Sequence, residues 1–250
     1  MPFLRDPNEL PPNFEPAGDI ALDLFRPLIE RIQRYHRHEV VGLERIPSQG
    51  GVLLAMNHSL ATYDAALLGK EIIDNGRVPS ILGDDLIFRT PGLRRWARML
   101  GIVPASPRYG EDLLNRGRLV LVAPGGMREA LRPSEERYNV RWDRRKGFIR
   151  LALRTQSPIV LAACPDADRL YHVYGNDVTK RIYKDFRMPM PLIRGWGPSL
   201  IPRPVRLVHL LSEPLAMEPI DETRFEEQVD DTHSTILNRM TALMSEAQRI

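Results

Sequence analysis

One cysteine, Cys164, stands in the whole chain. An internal disulfide is therefore excluded, and so sparing a use of thiols fits a reducing compartment. Long hydrophobic runs are also missing. No stretch approaches the roughly 20 apolar residues that cross a bilayer as a helix. Neither sign of charge dominates, since 35 basic against 32 acidic residues leave a net charge of +3. A balance that close does not argue for nucleic acid as a partner. The N-terminal stretch, MPFLRDPNELPPNFEP, lacks the basic-then-apolar layout of a secretory signal. These absences predict a cytoplasmic protein, or one bound peripherally to the inner (cytoplasmic) face of a membrane. What is present suits a folded chain. The 250 residues and 43% hydrophobic content allow one α/β domain with a sizeable core. The basic residues are mostly arginine, whose planar fork suits carboxylate and phosphate.

Residues 1–16 are proline-rich and aperiodic, which predicts an extended arm ahead of a single domain over 17–250. Beyond it Ala21, Leu24, Phe25, Leu28, Ile29 and Ile32 recur at helical spacing, with arginines and acids opposite. This amphipathic N-terminal helix either packs on the core or touches lipid with its apolar face. His36 and His38 follow, and alternate residues on a strand would share a face; no third metal ligand accompanies them. Short apolar runs at 39–43, 52–56, 78–82, 102–103, 119–123, 157–164 and 205–211 read as strands. Helical patterns at 65–73, 91–100, 148–153 and 222–249 separate or follow them. Such alternation predicts an α/β fold, a mostly parallel sheet flanked by helices and closed by an amphipathic C-terminal helix. Residues 132–146 are heavily charged and read as an exposed excursion. The proline-rich, apolar segment 186–204 fits neither a regular helix nor a central strand. It either packs on the core or meets lipid or an acyl chain.

The stretch VLLAMNHSLATYD, residues 52–64, organises the rest. A buried strand ends in Asn57 and His58, and Asp64 opens the next helix. In α/β sheets ligands gather at the carboxyl ends of the strands. One reading is a catalytic pair, with His58 taking a proton from a hydroxyl and Asp64 fixing the imidazole tautomer. The other is a polar loop histidine beside an aspartate at a helix start. A second strand, 119–123, runs into Pro124-Gly125-Gly126-Met127-Arg128-Glu129. Its two glycines let backbone N–H groups approach a ligand, and Arg128 suits a phosphate or carboxylate. A plain tight turn is the alternative, and no Gly-Lys-Ser/Thr makes it a P-loop. Arg89 is either a solvated surface residue or a contact to an anionic head group.

The order and spacing of these blocks resemble the lysophospholipid and glycerolipid acyltransferase superfamily, which includes 1-acylglycerol-3-phosphate acyltransferases. The chain looks closest to the diacylglycerol acyltransferase-like and phytyl ester synthase-like branch. The resemblance spans roughly residues 38–215. Asn57, His58 and Asp64 match the family's His/Asp motif, with five residues between His and Asp where four are usual. Leu86-Ile87-Phe88-Arg89 and Pro91-Gly92-Leu93 match a block that helps bind the acceptor's head group. Residues 124–129 match a block in which many members have Glu-Gly-Thr-Arg; Gly125 stands in place of that Glu, and Arg128 keeps the Arg. Ser157 to Leu161 match a final block that usually carries a second proline.

The resemblance implies a glycerolipid acyltransferase-like fold and acyl transfer from a thioester to a lipid hydroxyl in phospholipid or related lipid synthesis. It implies His58 and Asp64 as catalytic residues. It groups Asn57, Phe88, Arg89, Gly125, Gly126, Arg128 and Glu129 with the substrates. No metal or cofactor is called for; acyl-CoA or acyl carrier protein serves as co-substrate. The partners are the acyl donor, a lipid acceptor and a membrane surface. Two rivals remain open: a thioester hydrolase, which lacks any Gly-x-Ser-x-Gly elbow here, and a non-catalytic lipid-binding protein of the membrane surface.

Overall fold

A computed structural model describes residues 19–84, 87–88, 97, 101–175 and 192–250, with backbone alone over 19–24. The expected arm, Arg89 and nearly all of the helix expected over 91–100 lie outside the described residues. A long helix, α1 (Asp19–His36), leads into β1 (Glu39–Val41). Then come β2 (Val52–Met56), α2 (Tyr63–Asp74), β3 (Pro79–Gly83) and β4 (Ile102–Pro104). Helix α3 (Pro107–Asn115) precedes β5 (Leu119–Val122) and the short α4 (Gly126–Ala130). Helix α5 (Gly147–Thr155), β6 (Ile159–Ala163), the small strands β7 (His172–Val173) and β8 (Ile193–Arg194), β9 (Val208–Leu211) and α6 (Phe225–Ala247) complete the order.

Seven strands form one sheet in the order β1-β9-β6-β2-β5-β3-β4. The block β6-β2-β5-β3-β4 is parallel throughout. Strand β9 runs antiparallel to β6 and carries β1 parallel to itself. This is the mostly parallel sheet that the sequence predicts. Both faces are covered, and β2 shows why its run is apolar at every position. Leu53 and Ala55 enter one core with residues of α3, α5 and α6. Val52, Leu54 and Met56 enter the other with Leu68 and Ile72 of α2. Successive side chains leave a strand on opposite faces, so a strand covered on both sides shows no polar alternation.

Two expectations need correction. The charged stretch 132–146 is not an exposed excursion: Trp142 is fully buried and packs edge-on to Phe148, while Tyr138 and Val140 lie against the same core. Its charge density misleads because one large aromatic ring outweighs several solvated arginines when the segment chooses a side. His36 ends a helix rather than sharing a strand face with His38. Its Nδ1 lies 3.0 Å from the Val205 carbonyl and its Nε2 2.7 Å from the Tyr63 hydroxyl.

Candidate active site

Parallel neighbours β6, β2 and β5 finish at the same edge of the sheet. Their exits bring together Asn57-His58, Pro124-Gly125-Gly126 and Cys164 to Asp168. Asn57 is buried and clamps two of these exits. Its Nδ2 donates to the Cys164 carbonyl at 3.1 Å, and its Oδ1 accepts the Cys164 N–H at 2.8 Å. The resemblance groups Asn57 with the substrates; the structure has its amide bonded to main chain instead. A residue so placed sets the spacing of the strand ends.

His58 is half-buried at the mouth of this edge. Its Nδ1 lies 2.9 Å from the Ser59 carbonyl. A carbonyl only accepts, so Nδ1 carries the proton and Nε2 is left with the lone pair. The tautomer expected from Asp64 is thus set by the backbone of Ser59. Asp64 reaches the same residue from the other side, its Oδ1 accepting from the Ser59 hydroxyl at 2.8 Å. The expected Asp64–imidazole bond is corrected on this point: Ser59 stands between them. Burial pushes the Asp64 carboxyl above the ordinary carboxylate range; the Ser59 hydroxyl and the nearby His58 imidazole pull the other way. Asp64 Oδ2 is buried and has no hydrogen-bond partner among the described residues. Between Ser59 and Asp64 the chain turns at Thr62, whose φ of 59° is left-handed. A β-branched residue rarely sits there. The Thr62 N–H donates to Ser59 Oγ at 3.3 Å, which helps hold the turn.

The Gly-Gly segment does more than turn. Gly125 ends the loop and α4 begins at Gly126, whose φ is 52°. The Gly126 N–H donates to the Ala123 carbonyl at 3.0 Å, so it serves the turn and not a ligand. Arg128 is exposed, with a 3.9 Å ion pair to Asp143. Glu129 is buried and faces inward. Its Oε2 accepts the His58 backbone N–H at 3.0 Å, and its Oε1 accepts the Arg141 N–H at 3.1 Å. Arg132 stands 3.5 Å from the same carboxylate and pairs with Asp168. Asp168 also accepts the Tyr138 N–H at 2.9 Å. Burial raises Glu129 to about 7, opposed by Arg132 and by the two backbone donors. Phe88 is buried beside Gly83, at the end of β3. Asn57, Glu129 and Phe88, expected with the substrates, thus lie inside the protein, while Arg128 lies on its surface.

Sequence reasoning missed Ser59, Arg132 and Asp168. Ser59 carried a signal in following His58 directly. Arg132 and Asp168 are 36 positions apart, and no spacing announces such a pair. Among the described residues no group of three His, Cys, Asp or Glu side chains is arranged to hold a metal ion.

A doubly covered parallel sheet with a histidine of fixed tautomer at its carboxyl edge describes a class of α/β proteins. Comparison with known proteins supplies the family. The chain matches the description "Diacylglycerol acyltransferase" over residues 59–249 and belongs to that family. Among curated relatives is the human "DGAT1/2-independent enzyme synthesizing storage lipids", 29% identical over 219 residues, covering 86% of this chain and 63% of that protein. The bovine protein of the same name is also 29% identical, with 61% of its length covered. The chain therefore spans about three fifths of the length of these relatives. An uncharacterised protein of Mycobacterium tuberculosis is 29% identical over 256 residues, covering 90% of this chain and 71% of that one. Among solved structures, the 1-acyl-sn-glycerophosphate acyltransferase PlsC of Thermotoga maritima aligns with a TM-score of 0.48 at 16% identity, over 87% of this chain and 82% of that one.

Proposed function

We propose that this protein transfers a fatty acyl group from a thioester, acyl-CoA or acyl carrier protein, to a hydroxyl of a lipid acceptor, with His58 as the general base. The observation that carries the reading is the Nδ1–carbonyl bond at Ser59, which leaves Nε2 as the basic nitrogen at the open edge of the sheet. Membership of the diacylglycerol acyltransferase family supplies the reaction class. The acceptor hydroxyl gives its proton to Nε2 as its oxygen attacks the thioester carbonyl. The C–S bond then breaks and the departing thiolate takes the proton from the imidazolium. The ester and the free thiol are the products, and no acyl-enzyme forms. Asp64 stands beside the imidazole through Ser59, where a negative charge would stabilise the imidazolium. Help of this kind contributes about 10²–10⁴-fold. Arg128, exposed on α4, suits a phosphate of the acceptor or of the phosphopantetheine-bearing donor. Arg89 is assigned the same task from sequence alone.

The proposed reaction belongs at a membrane surface, where lipid acceptors partition, and on its cytoplasmic face, the side from which acyl-CoA or acyl carrier protein arrives. Exposed Leu192, Trp196, Leu200 and Ile201 cluster on the 192–201 segment, with Leu28 and Tyr35 exposed on α1. The Tyr35 hydroxyl donates to the Pro202 carbonyl at 2.7 Å, so the two apolar surfaces adjoin. No helix of the described residues is long and apolar enough to cross a membrane.

The test is a transfer assay in liposomes. Radiolabelled palmitoyl-CoA, and separately palmitoyl acyl carrier protein, is offered with lysophosphatidate, lysophospholipids, diacylglycerol or a fatty alcohol. Wild type is expected to form a labelled ester, and His58→Ala to fall by at least about 100-fold while folded. Near-normal turnover in His58→Ala sinks the mechanism. Thioester loss with no ester product would make the protein a hydrolase instead.

A further inference from the structure

Gly125 has no backbone need to be glycine. Its φ and ψ are −63° and −28°, which any residue adopts. The need is spatial. A Cβ placed there would fall 2.0 Å from Oε2 of Glu129, 2.4 Å from its Cβ and 2.5 Å from its Cδ. The Glu129 side chain folds back over the first turn of α4 and fills the space that a side chain at 125 would take. From there its carboxylate holds two separate stretches of main chain, the His58 peptide through Oε2 and the Arg141 peptide through Oε1. Arg132 balances its charge and is itself held by Asp168. No other described side chain accepts from the His58 N–H.

We propose that Glu129 is a positioning residue for acyl transfer: its carboxylate fixes the His58 peptide, and Gly125 and Glu129 form one unit in which the glycine makes room for it. This rests on His58 being the general base. A base shifted by about 1 Å loses on the order of 100-fold in rate, so a bond to the base's own backbone has kinetic consequences.

The experiment compares wild type, Glu129→Gln, Glu129→Gly and Gly125→Ala. Acyl transfer with the donor and acceptor that give wild type its turnover in the liposome assay yields kcat and KM. Hydrogen exchange of the peptide containing His58, read by mass spectrometry, follows the bond without turnover. Each single variant is expected to lose about 10- to 100-fold in kcat with KM little changed, and to exchange faster at His58. Unchanged kcat and exchange in folded Glu129→Gln overturns the proposal. Should the glycine variants fail to fold, Glu129→Gln alone decides, since it keeps shape and one acceptor while losing the charge. The base assignment fails separately, through an active His58→Ala. If His58→Ala is dead and all Glu129 variants are fully active, only the positioning role falls.

Discussion

Glu129 is a buried acid whose titration is pushed up to about 7, and its effect on stability has a definite sign. Its pKa is raised from 4.5 to about 7, with burial the largest cause. A raised acid favours the folded state while protonated. That contribution is complete below the unfolded value and disappears as pH rises through about 7. The shift corresponds to an upper bound on the order of 3 kcal/mol. Stability of wild type relative to Glu129→Gln should therefore decline between about pH 5 and about pH 8. Urea unfolding at both ends of that window measures it. A wild-type advantage that grows with pH would mean that Arg132 and the two backbone donors outweigh burial. Asp64 shows the same conflict between burial and local donors. Both acids sit at the carboxyl edge of the sheet, where local donors oppose the cost of burial.

At the level of elements, β1 and β9 are joined by more than their ladder. His38 Nε2 and His209 Nδ1 lie 2.9 Å apart. The Gln33 amide, 3.4 Å from His38 Nδ1, is a donor to that nitrogen. His38 must then donate from Nε2 to His209, and both rings are neutral. Burial holds His38 down to about 4, and holds the fully buried His209 well below its ordinary value. A lowered base contributes stability that is present above the unfolded value, 6.5, and is lost as pH falls through the folded one. Acid should therefore loosen the β1–β9 pair between about pH 6.5 and about pH 4. The double variant His38→Leu/His209→Leu should lose less stability over that range, as read by thermal unfolding at each pH. An acid response as steep as wild type would place the sensitive groups elsewhere.

For the whole molecule, the proposed membrane contact makes a prediction about one surface. Exposed Trp196, Leu200 and Ile201 share one short segment with Arg194, an arrangement that suits an anionic bilayer. Fully burying an apolar side chain is worth about 1.5–3 kcal/mol. Replacing two of them, Trp196→Ser and Ile201→Ser, should weaken co-sedimentation with phosphatidylglycerol liposomes by at least about tenfold. The melting temperature should stay within a few degrees, because neither side chain belongs to a core cluster. Undiminished co-sedimentation, or none by wild type, would rule out this segment as a lipid contact.

Local pattern in the sequence determined the elements. The run Val52–Met56 is a strand from end to end, and the apolar spacing of 222–249 is realised in α6 over Phe225–Ala247. Each such pattern depends on which face of one element is buried, and neighbours in sequence report that directly. The resemblance rested on the same kind of signal, short motifs in order, and the family followed. Local spacing cannot report what happens between strand exits far apart in the chain. His58 and Glu129 meet across 71 positions, Asn57 and Cys164 across 107, and Arg132 and Asp168 across 36. They meet only because β2, β5 and β6 pair in parallel and end together. That pairing made Ser59 the keeper of the His58 tautomer and turned Glu129 inward. It also drew Trp142 of a charged stretch into the core, since burial is settled by the whole set of packed layers rather than by one segment's composition.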